Sequence, residues 1–231
     1  MKFALVNSVK THIKDVSRGM LGADCWHTNY AVIACKGKYR QYWKYLDTHP
    51  PLKAGYENET EWHAAWKSAI KDDFCEVVMG DNNEHRADIY TLTHVIELQY
   101  SSIDIRDVIE RNKFYNNITD NRVIWIINVY KAQKDKRILT NLDPNNKHQF
   151  FIKWKHPKLW VLDICRYNSN HIFLDISPTS KNLIKIWYHN GQLYGSWFSK
   201  EAFYDKYLAH VGNGKNEFLT SIKNININDY I

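Results

Sequence analysis

The sequence predicts an α/β fold built on a mixed central β-sheet flanked by helices, and three stretches carry that expectation. Residues 57–72 are helix-friendly, with Trp62, Ala65, Trp66, Ala69 and Ile70 forming one apolar stripe. Residues 86–99 read as two short strands around a turn at 91–94. Residues 123–129 are almost continuously apolar, as in a strand buried on both faces, with Asn128 the one polar break. The resulting organisation is a small β-containing region at 1–52, a core at 53–132 and a C-terminal α/β extension at 133–231 packed on it.

The elements follow in order. Residues 30–35 are β-like, and Lys36-Gly37-Lys38-Tyr39-Arg40 resembles a hairpin turn. Pro50-Pro51 marks a boundary, because consecutive prolines favour extended backbone. In the helix that follows, Glu59, His63 and Lys67 recur every fourth position and share a polar face opposite the apolar stripe. A strand at 74–79 leads into the turn-forming Gly80-Asp81-Asn82-Asn83. After the hairpin, Ser101 or Ser102 can cap a helix with Asp104 in its first turn and Ile105, Val108 and Ile109 as its apolar stripe. Arg111 and Tyr115 lie one turn apart on it. Residues 135–147 look like a charged, Asn-rich surface excursion. Strands are expected at 150–154, 159–164, 172–176 and 183–188, and a short final helix at 201–210.

The hairpin holds the chemistry of interest. Asp88 stands on its first strand and Glu97 and Gln99 on its second, where alternation projects Glu97 and Gln99 together and turns Ile96 and Leu98 to the core. Counting back from the turn places Asp88 opposite Glu97, with Cβ atoms roughly 5 Å apart. Two such carboxylates suit one divalent cation, since magnesium takes oxygen ligands and fills its shell with water and substrate oxygens.

Lys and Arg outnumber Asp and Glu, 31 to 25, for a formal charge of +6, compatible with an anionic partner. Nine Trp and fifteen Tyr serve as core filler and as platforms on which unpaired bases can stack. Four widely spaced cysteines without a Cys-x-x-Cys pair indicate neither a disulfide scaffold nor a complete zinc ribbon and fit a reducing compartment. The opening apolar run is broken at Asn7 and Ser8, short of a signal peptide, and no run is long enough to span a membrane. A cytoplasmic protein without membrane attachment is expected.

An ordered set of motifs resembles the competence-protein CoiA-like nuclease family of the PD-(D/E)XK superfamily. It comprises Glu59-Thr60-Glu61-Trp62-His63 with Lys67, His85-Arg86-Ala87-Asp88-Ile89, and Ile96-Glu97-Leu98-Gln99-Tyr100-Ser101. Arg111, Tyr115 and the strand Val123-Ile124-Trp125-Ile126 follow, with weaker continuation through Trp154-Lys155-His156-Pro157 and Ile172-Phe173-Leu174-Asp175. The resemblance implies a restriction-endonuclease-like core with N- and C-terminal additions. It also implies an Mg2+- or Mn2+-dependent deoxyribonuclease, an endonuclease with little base specificity, and a role in DNA recombination suggested by the family name alone.

On that reading Asp88 and Glu97 hold the metal, and Glu59 or Glu61 on the first helix completes the shell or orients water. Gln99 stands where the superfamily signature has Lys, as it often does in the narrower family, and His63 or Lys67 supplies the missing positive charge. An amide hydrogen-bonds but neither titrates nor carries charge. Arg86, Arg106, Arg111 and Lys113 are the expected phosphate contacts. The family often carries an N-terminal zinc module; Cys25, His27, Cys35 and His49 could supply four ligands, but their spacing departs from structural zinc patterns, and a degenerate module held by packing is the default. The alternative of a different class is a noncatalytic DNA-binding or recombination accessory protein that keeps the nuclease fold.

Overall fold

The computed structural model describes residues 2–25, 30–37, 41–46, 60–82, 84–119, 122–157, 159–167 and 171–225. The chain divides into two compact units, 1–59 with 76–87, and 60–75 with 88–231.

In the first unit β1 (Phe3–Val6), β2 (Val9–His12), β3 (Leu21–Ala23), β4 (Ala31–Lys36) and β5 (Gln41–Tyr45) form an antiparallel sheet in the order β2-β1-β3-β4-β5. Its centre is filled by Ala4, Ile13, Val16, Val32, Ala34 and Trp43. The opening apolar run is therefore the strand β1. Most of β6 (Cys75–Met79) and the first half of β7 (His85–Tyr90) also belong to this unit.

The second unit holds a mixed sheet in the order β10-β11-β14-β13-β12-β9-β8-β7, entered by β7 through Asp88. Its other strands are β8 (His94–Gln99), β9 (Arg122–Asn128), β10 (Ile138–Asp143), β11 (Asn146–Trp154), β12 (Ile172–Asp175), β13 (Asn182–His189) and β14 (Gln192–Ser199). β9 runs parallel to both β8 and β12, and the flanking pairs are antiparallel. The fold is thus the expected α/β class, a large mixed sheet with helices and a β-rich N-terminal addition. The central strands are closed to water on both faces: every side chain from Val95 to Gln99 and from Val123 to Tyr130 is buried.

The helices are α1 (Glu61–Ser68), α2 (Ile105–Thr119), α3 (Tyr130–Lys134), α4 (Leu159–Tyr167), α5 (Lys200–Phe203) and α6 (Lys215–Lys223). Thr60 starts α1 by accepting the His63 N–H on its side chain, while the His63 ring reaches back to the Thr60 N–H. Two indoles then moor α1 to the sheet. Trp62 and Trp66 donate Nε1–H to Asp175 Oδ2 at 2.9 and 3.2 Å, and the Tyr130 hydroxyl donates to the same oxygen at 3.0 Å. Asp175 Oδ1 lies 3.0 Å from Lys200 Nζ, and both side chains are buried. A fully buried carboxylate is tolerable because it is paired with Lys200 and takes three hydrogen bonds on Oδ2.

Several expectations from the sequence are corrected. The residues 159–164 form helix rather than strand, because Trp160, Val161, Ile164 and Cys165 recur at helical spacing and all face the interior. The charged stretch 135–147 is no mere surface excursion: it supplies β10 and the turn of a hairpin whose outer strand tolerates polar residues at a sheet edge. The first helix begins at Glu61. Its His63–Lys67 face is as buried as its tryptophan face, since α1 is enclosed from both sides. Asp104 itself, not Ser101 or Ser102, caps α2, taking the Arg106 N–H at 2.8 Å. The final helix is split into α5, a π-helical turn at Tyr204–Leu208, and a separate α6.

Candidate active site

The hairpin turn is built on Thr91, whose N–H donates to the His94 carbonyl at 2.8 Å and whose hydroxyl bonds both the His94 N–H and carbonyl oxygen. Leu92 occupies the left-handed region at φ 64°, as a two-residue loop requires. The register sets Ile89 opposite Ile96 and Tyr90 opposite Val95. One step further, the Asp88 side chain takes the place of a backbone acceptor: its Oδ2 receives the Leu98 N–H at 2.9 Å. Asp88 Oδ1 faces Lys67 Nζ at 3.8 Å, an ion pair too long to be a hydrogen bond, and the Asp88 side chain is one-quarter exposed.

Glu97 is held more tightly. Its Oε2 receives Arg111 Nη1 at 2.6 Å and its Oε1 the Tyr115 hydroxyl at 2.9 Å, both from α2. Burial pushes its carboxyl up to about 7 against the pull of Arg111, and the Asp88 charge pushes it further the same way. Burial, then Glu97, raises the Tyr115 phenol well above its ordinary range, so it serves as a donor.

The remaining residues singled out by the sequence divide into three groups. His63, Lys67 and Gln99 lie beside the hairpin. The Thr60 amide can only donate, so His63 Nδ1 accepts from it and Nε2–H is left to donate to the Leu98 carbonyl at 2.9 Å. The ring links α1 to β8, and Lys67 is the cation at Asp88. Gln99 is buried and donates Nε2–H to the Ser101 carbonyl at 2.9 Å.

The second group is Glu61, Lys113, Arg106 and Arg86. Glu61 is exposed in the first turn of α1, and Lys113 is exposed on α2. Arg106 is 86 % exposed in its side chain and engaged with Asp104 at 2.8 Å, which lowers the Asp104 carboxyl to about 2. Arg86 lies in the first unit, 3.7 Å from Glu76. The third group, Glu59, His27 and His49, lies outside the described residues. Cys25 and Cys35 carry free thiols, and burial pushes that of Cys25 up to about 11.

Tyr115 as a second anchor of Glu97, and Asp175 as the anchor of α1, are contacts that no local pattern announced. The one available signal was the four-residue spacing of Arg111 and Tyr115, which aims both from one helix face.

Carboxylates offer about four acceptor directions each. Among the described residues Asp88 takes one hydrogen bond and Glu97 two, so acceptor capacity remains at both, and no described residue donates to the partly exposed Asp88 Oδ1. Two hard oxygen donors, one of them reachable from solvent, fit a magnesium or manganese ion that completes its shell with water and substrate. No cluster of three or more His, Cys, Asp or Glu side chains able to hold a metal occurs among the described residues. No helix among them is long and apolar enough to cross a membrane.

Comparison with the curated proteins and with the solved structures returned no match. The family described as Competence protein CoiA, nuclease-like domain, matches residues 76–193, which begin with β6, contain the whole hairpin and reach into β14. That match spans just over half of the 231 residues, and the chain belongs to the CoiA nuclease-like family.

Proposed function

We propose that this protein is a metal-dependent DNA nuclease that hydrolyses phosphodiester bonds with little base specificity. The observation that carries the reading is the meeting of Asp88 and Glu97 across one hairpin, with an open oxygen on Asp88 and a Glu97 carboxyl that burial raises to about 7. Asp88 and Glu97 would hold Mg2+ or Mn2+. Bound there, the cation would polarise a nonbridging phosphate oxygen and ease proton loss from water.

The chain's own groups have separate tasks. Arg111 and Tyr115 fix the Glu97 side chain from α2, so that its orientation costs nothing at the moment of reaction. Lys67 offsets the Asp88 charge and would offset charge building on phosphorus. Gln99 hydrogen-bonds only, so proton removal falls to another group or to solvent. Glu61 on α1 would orient water, and Lys113 on α2 would contact phosphate.

One observation favours the accessory reading. Asp88 and Glu97 already face Lys67 and Arg111, so the charges balance without a cation. A site lacking turnover but keeping the fold would look the same.

Nicking of supercoiled plasmid decides between them. Asp88→Asn is the cleanest variant, because the amide oxygen still accepts the Leu98 N–H while the charge is gone. Cleavage in Mg2+ or Mn2+ that falls about a hundredfold or more in this variant supports catalysis. DNA binding without cleavage in every metal and on every DNA form establishes the accessory role.

A further inference from the structure

Away from the hairpin acids, the outer strands of the large sheet form a second surface. On β13 and β14 the register sets Trp187 opposite Tyr194 and Lys185 opposite Ser196, and on β11 Phe151 stands opposite Tyr194. Partners across antiparallel strands share a face, as do residues two apart along each strand. Phe151, Tyr194 and Trp187 therefore make one row across three adjacent strands. Tyr194 and Trp187 lie parallel within 10° at 6.0 Å between ring centres, and Phe151 sits 5.1 Å from Tyr194. All three are half-buried.

The opposite face of the same strands is the core. Gly195 shows how tight it is: a Cβ there would meet Phe150 at 2.7 Å, Ile152 at 2.8 Å and Ile184 at 2.9 Å. The aromatic row is thus no part of the packed interior. Phe203 and Tyr207 cover Phe173 and Phe198, further along the same face.

The strands that carry the row bear charge of one sign, and the Glu201 and Asp205 carboxylates of the adjoining turns are paired with Lys215. Lys153 lies two residues beyond Phe151, Lys185 two before Trp187, and Lys185 is close enough to Lys206 that, after burial, its charge is the second cause lowering the Lys185 ammonium. β11, β13 and β14 contain no Asp or Glu, and β10 contains one, Asp143, at the hairpin end. Aromatic rings interleaved with lysines on an open sheet match the π-faces and phosphates of unpaired nucleotides. A duplex hides its base faces and offers only phosphates.

We propose that this face binds single-stranded nucleic acid, with bases stacked on Phe151, Tyr194 and Trp187 and phosphates met by Lys153, Lys185 and Lys206. The proposal rests on nucleic acid being the partner named above, but not on cleavage. It makes unpaired strands, or the single-stranded parts of branched DNA, the preferred substrate.

The test is fluorescence anisotropy of a labelled single-stranded DNA, the same sequence as RNA, and the DNA duplex, with full-length protein in EDTA so that nothing is cut. Trp187→Ala and Tyr194→Ala each weaken single-strand binding about tenfold or more. Lys185→Ala reduces the slope of log affinity against log salt by about 0.7. Circular dichroism melts confirm that these partly exposed variants fold, and a conservative Trp187→Phe restores most of the affinity. The DNA and RNA arms tell which strand the face prefers.

Single-strand affinity unchanged in both aromatic variants, or equal affinity for the duplex, overturns the proposal. Plasmid nicking by Asp88→Asn reads the active site independently: the substitution abolishes cleavage on the nuclease reading, whereas the aromatic variants are read by single-strand affinity in EDTA, where nothing is cut. Failure of the platform and failure of the active site are therefore read separately.

Discussion

Glu97→Gln isolates the electrostatics of the hairpin. In the folded chain the Glu97 carboxyl sits at about 7 against an ordinary 4.5, with burial as the leading cause. A raised acid holds its proton longer folded than unfolded, so its stability contribution is complete below about 4.5 and is lost as pH climbs through about 7. With 1.36 kcal/mol per pH unit, the wild type gives up about 2–3 kcal/mol between pH 5 and pH 8 through this one group. Glutamine keeps the shape and an acceptor oxygen but cannot ionise.

Urea unfolding of both proteins at pH 5, 6, 7 and 8 gives the difference between them, in which all other titrations cancel to first order. Wild type should lose about 2–3 kcal/mol relative to the variant across that range. Magnesium adds a second reading. A cation that prefers the carboxylate form should restore wild-type stability above pH 7, by about 2.7 kcal/mol at a hundred times its Kd, and leave the variant unmoved. Parallel pH profiles refute the buried, raised carboxyl, and a wild-type profile indifferent to magnesium and manganese refutes Glu97 as a metal ligand.

Three further outcomes are expected. Asp175→Ala strips the acceptor from Trp62, Trp66 and Tyr130 and leaves the buried Lys200 charge with only the Ser177 carbonyl, so it should cost about 3–5 kcal/mol in urea unfolding. Gly195→Ala forces a Cβ against Phe150, Ile152 and Ile184, and should lower stability by about 1–3 kcal/mol, read as a lower melting temperature. Thr60→Ala removes the side-chain acceptor at the head of α1 and should cost about 1 kcal/mol, with faster amide exchange at His63.

Local pattern located the hairpin and its acids because a two-fold alternation and a turn signal are properties of adjacent residues. It misjudged what lies around them. Glu97, Gln99, His63 and Lys67 look polar and therefore solvated in the chain, yet each is buried through partners remote in sequence: Arg111 and Tyr115 for Glu97, Asp88 for Lys67, the Leu98 carbonyl for His63. Residues 159–167 were ambiguous for another reason. A short apolar run without strong end signals fits a buried strand or a buried helix equally, and only packing between α4, α2 and β13 resolves it. β14 was missed outright, because Gly195 and the polar Gln192 and Ser196 disguise a strand whose glycine is required by the core beneath.

The mooring of α1 by Asp175 has a temporal consequence. An eight-residue helix cannot persist by itself in water, and its two indole N–H groups find their acceptor more than a hundred residues downstream. During synthesis, Thr60 through Ser68 emerge from the ribosome well before Ile172 through Asp175 exist. Lys67 and His63 therefore reach the hairpin only once the late strand has joined the sheet, and a polypeptide interrupted ahead of it carries both hairpin acids without the scaffold that aligns α1 with them.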